Sequence, residues 1–108
     1  MEDDHEDEWP PPDARYRSAL WRAEGQLERA EWGRAIDTLD DVLGLGDDEL
    51  VRGMRHLAAA GYRVWDGDRE RAKKQLEHAC RRLDPYLPKR EEVDLAALIE
   101  VVRRAVEP

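Results

Sequence analysis

Three aspartates, Asp37, Asp40 and Asp41, fall within five residues of the stretch GRAIDTLDDVLG. Carboxylates this crowded repel one another unless a cation stands among them, and hard cations such as Mg²⁺ or Ca²⁺ take oxygen ligands. One chemistry open to the cluster is therefore divalent-metal binding, or hydrolase-like work through the same carboxylates. His56 would then serve as a further ligand or general base, since an imidazole titrates near pH 6.5. The competing reading is geometric. At about 100° per residue, Ala35, Leu39, Val42 and Leu43 gather on one side of a helix, and the three acids centre about 150° away. That separation favours a solvated face, with Asp40 nearest the apolar edge. There it would meet Arg52 or Arg55 of the next helix, in a pair worth at most ~1 kcal/mol if exposed.

Other catalytic chemistry finds little support. The chain has no HExxH or CxxC spacing for zinc and no GxxxxGK[ST] loop for nucleotide phosphates. Its only serine, Ser18, and only threonine, Thr38, have no triad motif around them. The single cysteine, Cys80, excludes an internal disulfide and falls on an apolar stripe, where a buried thiol acts as a small hydrophobe. His56 reads most simply as a half-buried histidine bonded to a carboxylate, and His78 as exposed.

Four tryptophans in 108 residues is a high count. Trp65 continues a core stripe and is expected inside. Trp21 lies off its helix's stripe, Trp32 stands at a helix junction, and Trp9 lies in an acidic, proline-rich stretch. These three are the candidate partner-binding residues, because aromatic side chains dominate the energetics of binding surfaces.

Charge narrows the partners further. The formal net charge is -8, yet the first eight residues carry six acids and no Lys or Arg. The remainder is nearly balanced, so a broad basic surface for nucleic acid is not expected. No apolar run approaches the ~20 residues that span a bilayer, and the N-terminus lacks the basic and apolar regions of a secretory signal. The expectation is a cytoplasmic protein with no nucleic-acid or membrane partner, leaving a protein partner or a homo-oligomer.

The elements that must position these residues are helices. Residues 1–12 read as a disordered acidic arm closed by WPPP, whose prolines hold extended geometry. A helical domain follows over 13–108. Tyr16, Ala19, Leu20, Ala23, Leu27 and Ala30 recur at spacings of three and four, which makes one face. Asp13 is placed to cap that first helix, and Gly25 to let another helix approach. A second helix is predicted over 32–43 and a third over about 48–65, with Asp47 or Asp48 capping the latter. The fourth begins after Asp68, carries Ala72, Leu76, Ala79, Cys80 and Leu83, and stops before Pro85. A loop leads to Asp94, which caps a fifth helix with Leu95, Leu98, Ile99, Val102 and Val106 facing inward. No segment alternates with period two. The fold class is all-α, about five helices in an antiparallel bundle of helical hairpins.

Two resemblances emerge from these motifs. The turn-to-helix stretches around Ala35–Leu39 and Ala72–Leu76 lie 37 residues apart. They resemble tetratricopeptide helix pairs, whose period is about 34. More extensively, residues 16–104 resemble the bacterial and archaeal family catalogued as domain of unknown function 309. The likeness rests on Gly53, the Leu57-Ala58-Ala59 run, Tyr62, the Gly67-Asp68 turn, Ala72 and the Val93-Asp94-Leu95 entry to the last helix. It implies a small helical fold. That family's distinctive second-helix run, His-Glu-x-x-Glu-Glu-x-Trp, corresponds here to IDTLDDVL. Ile36 stands at the histidine position and Leu43 at the tryptophan position, while Asp37, Asp40 and Asp41 keep the acidic ones. A well-patterned helical frame without a complete reaction site points to a non-catalytic protein-interaction module. The alternative is a metal-binding or hydrolase-like protein using the second-helix carboxylates.

Overall fold

A computed structural model describes residues 10–108. Five α-helices account for most of these residues: α1 (Pro12–Glu28), α2 (Trp32–Asp40), α3 (Asp48–Trp65), α4 (Arg69–Leu83) and α5 (Leu95–Val106). Between α4 and α5 lie a 3₁₀ turn, Asp84–Tyr86, and two short antiparallel strands, β1 (Lys89–Arg90) and β2 (Val93–Asp94). Neighbouring helices pair as hairpins. The ring of Trp32, at the start of α2, lies on Gly61 near the end of α3, and Leu83, at the end of α4, lies on Gly53 near the start of α3. Both contacts require antiparallel packing. A β-carbon at either glycine would run into the partner side chain, so these two glycines set how closely the hairpins close.

The helix starts follow the expected capping chemistry. Asp47 accepts from the backbone N–H groups of Glu49 and Leu50, Asp68 from that of Arg71, and Asp94 from that of Ala97. Each satisfies donors that a helix N-terminus otherwise leaves unpaired. Asp13 does not cap α1. That helix begins one residue earlier, at Pro12, with Pro11 as its N-cap and Asp13 inside the first turn. Proline at the first helical position loses nothing, since its missing N–H would be unpaired there anyway.

The second helix is shorter than its apolar spacing predicts and ends at Asp40. Beyond it the chain tightens into three-residue turns, with Val42 N–H donating to Leu39 C=O and Leu43 N–H to Asp40 C=O. Gly44 then takes a φ of 88°. The tightening rotates Leu43 out of the apolar face, and it is exposed. At Gly25 the nearest group is the guanidinium of Arg29, rather than a side chain of a second helix.

The core runs through all five helices, with Leu20, Leu27, Leu39, Leu50, Met54, Leu57, Leu83 and Leu98 fully or almost fully buried. The helix α3 lies centrally, touching α2, α4 and α5. Its small residues Gly53, Ala58, Ala60 and Gly61 are buried because neighbours close on it from several sides. Among the described residues no helix is long and apolar enough to cross a membrane.

Candidate partner-binding groove

Among the described residues the structure does not bring the acidic triplet together with His56. Asp37 and Asp41 are exposed. Asp40 is engaged by Arg55 of α3, whose Nε lies 2.6 Å from Oδ1 and whose terminal nitrogen lies 3.4 Å from Oδ2. The acid nearest the apolar edge thus pairs with a base of the next helix, as the helical wheel anticipates. Both side chains of this pair are more than 40% exposed, so it contributes at most ~1 kcal/mol. Among the described residues no three His, Cys, Asp or Glu side chains are grouped so as to hold a metal ion.

His56 is half-buried, but its partner is an amide rather than a carboxylate. Its Nδ1 lies 2.7 Å from Oε1 of Gln75 on α4. An amide oxygen only accepts, so the contact holds a proton on Nδ1. Burial lowers the His56 pKa below the ordinary 6.5, and the positive fields of Arg82, His78 and Arg55 lower it further, against the hydrogen bond to Gln75. His78 is exposed, with its ring centroid 5.4 Å from that of His56. Cys80 is not fully buried as its stripe suggests. It is partly exposed, with an Arg103 terminal nitrogen 3.7 Å from Sγ.

The largest departure from expectation is Trp65. It sits on the predicted stripe of α3, yet it is 75% exposed. Trp32, at the start of α2, lies on Gly61, one turn before Trp65 on α3. The following helix begins only at Arg69. The stripe therefore runs one turn beyond the neighbours that cover it. Beside it Tyr62 is 40% exposed. The two rings stand 5.6 Å apart at 51°, a separation and tilt at which aromatic pairs attract.

Together with Trp32 they form an open groove of about 480 Å³, completed by Ala30, Glu31, Gly33 and Arg34. The α1–α2 turn shapes its far wall. Ala30 takes a φ of 60°, and Glu31 N–H donates back to Gln26 C=O at 2.8 Å. Left-handed geometry at a non-glycine residue is uncommon, and here that bond helps hold it. Glu31 is paired with Arg29, and Arg63 beside the groove with Asp66. Among the described residues Arg34 makes no ion pair, so the groove is aromatic with one uncompensated positive charge.

Of the three tryptophans named as partner-binding candidates, Trp32 lines this groove. Trp21 does not. Its indole N–H donates to Glu91 C=O at 2.8 Å, which fastens the strand pair to α1. It is still about half exposed. Trp9, and all of the acidic arm before Pro10, lie outside the described residues. Trp65, which also lines the groove, falls on the core stripe by periodicity. The signal that could have found it was the short distance from Trp65 to Gly67, which leaves no following turn to cover the ring.

No protein-family model, no curated protein and no solved structure matches this chain.

Proposed function

We propose that this chain is a non-catalytic protein-interaction module that holds a short segment of a partner in the groove between Trp32, Tyr62 and Trp65. One observation carries the reading: a tryptophan three-quarters exposed beside a tyrosine, in a frame whose other large apolar side chains are mostly covered. Aromatic residues at such a surface gain more from a partner than any other side chains, because they bury large area at little loss of rotamer freedom. The groove, about 480 Å³, has room for a few residues of peptide. Kinship with the domain of unknown function 309 family belongs to the proposal as well, carried by the order of Gly53, Leu57, Tyr62, Gly67 and Asp94 along the chain. The metal-binding alternative is disfavoured by the Arg55–Asp40 pair.

Selection from a displayed peptide library tests the reading. Peptides enriched on the wild-type chain should lose binding to Trp65→Ala by ~tenfold or more, the scale of a hot-spot truncation. Enriched peptides that bind both chains equally would refute the groove as the site. Calorimetric heat on adding Mg²⁺ or Mn²⁺, abolished by Asp37→Ala with Asp40→Ala, would instead establish the carboxylate alternative.

A further inference from the structure

We infer that the groove's occupant is the Trp9-Pro10-Pro11 segment of a second copy of this chain, an inference that rests on the interaction reading above. The shape of the groove selects the mode of recognition. Among the described residues its lining includes no strand, so addition of a β-strand has no edge to use. A docked helix spreads its anchors from i to i+7, about two turns, whereas Tyr62 and Trp65 floor only one turn of α3. What remains is an extended proline-rich segment, whose rings stack on flat aromatic faces without losing much conformational freedom.

This chain carries such a segment. Pro10 and Pro11 are exposed, and Pro11 has φ -59° and ψ 154°, close to polyproline II geometry. Trp9 precedes them in the sequence, and Asp7 and Glu8 precede Trp9. Those acids complement Arg34, which makes no ion pair among the described residues. Reach decides between the chain's own segment and a second copy's. The N-terminal end of α1 lies at the N-terminal end of α3, since the Tyr16 hydroxyl is 3.4 Å from Asp47 C=O. The groove lies at the opposite end of α3, an 18-residue helix about 27 Å long. Trp9 stands three residues before Pro12 and reaches no further than about 11 Å from it. The segment therefore enters the groove of another molecule, head to tail, a contact that need not close on itself.

Sedimentation equilibrium of the full chain tests this. The weight-average mass should rise above 12.6 kDa with concentration and return to it when free peptide of residues 1–12 is added in excess. Trp65→Ala, and separately Trp9→Ala with Pro10→Ala, should each weaken the association by ~tenfold or more. A chain that stays at the monomer mass at every concentration overturns the inference. So does association that either variant leaves unchanged. Display-selected peptides that need Trp65, combined with a strictly monomeric chain, would sink this inference while leaving the interaction reading intact. Failure of both experiments would remove the two together.

Discussion

The two ends of α3 are built on opposite principles. At its start the carboxylates of Asp47 and Asp48 and the Tyr86 hydroxyl all have partners. One carboxylate oxygen accepts from the backbone N–H groups of Glu49 and Leu50, and the other from the Tyr86 hydroxyl at 2.7 Å. The neighbouring Asp48 accepts from Gly44 N–H at 2.8 Å. Leu50 and Val51 behind them are fully buried. At its finish two large aromatic rings face water. The first end ties α1, α3 and the segment after α4 together. The second leaves apolar surface that the fold does not use. A helix that is satisfied at one end and open at the other separates the residues that hold the fold from those free to hold something else.

That contrast makes the following outcomes unequal. Leu50→Ala at the closed end should cost about 2–5 kcal/mol by denaturant unfolding, as buried leucines do when their cavity cannot fully collapse. Asp47→Ala should cost about 2 kcal/mol, since it removes a helix cap and leaves the Tyr86 hydroxyl without its acceptor. Tyr86→Phe isolates that second contribution, at about 1 kcal/mol.

The same contact sets a pH signature. Its hydrogen bond to the Asp47 carboxylate, with burial, pushes the Tyr86 pKa from 10.0 up to about 12. The folded state thus favours the protonated phenol. Its contribution is complete below pH 10 and is lost as pH climbs towards about 12, and Tyr86→Phe should abolish that part of the decline. His56 works in the opposite direction. Its folded pKa lies below 6.5, so the folded state disfavours the imidazolium. Stability should be full above pH 6.5 and fall as pH drops through that value towards the folded pKa. Midpoints of urea unfolding measured across this range for wild type and His56→Gln should converge at low pH, relative to their difference at neutral pH. Smallest of all is Trp65→Ala, which should change stability by less than about 0.5 kcal/mol.

Much of the frame was legible in the sequence, and the reasons lie in particular residues. Asp47, Asp68 and Asp94 mark helix starts through a local rule: a short acceptor side chain reaches the free N–H groups two or three residues on. Leu20, Leu57 and Leu76 face inward because the 3.6-residue period fixes direction. Asp40 found Arg55 because the wheel placed it at the apolar edge. Trp65 is exposed against its stripe because periodicity gives the side a residue faces and not how far its neighbours extend. Leu43 leaves its stripe because the chain tightens after Asp40 on the way to Gly44. The strand pair has no period-two pattern in the sequence. Its two-residue link, Glu91 and Glu92, has φ values of 52° and 65° without a glycine to announce them. Contacts from elsewhere hold it, the Trp21 indole on Glu91 C=O and the Glu24 carboxylate on Asp94 N–H. Long-range bonds of that kind leave no local signature.

The contrast between the ends of α3 rests on one side-by-side measurement, the urea midpoints of Asp47→Ala and Trp65→Ala against the wild type under matched conditions. A clear fall for Asp47→Ala with an unmoved midpoint for Trp65→Ala is the predicted result. A Trp65→Ala chain destabilised as much as Asp47→Ala would mean that the exposed ring serves the fold, and the groove would lose its claim to a partner.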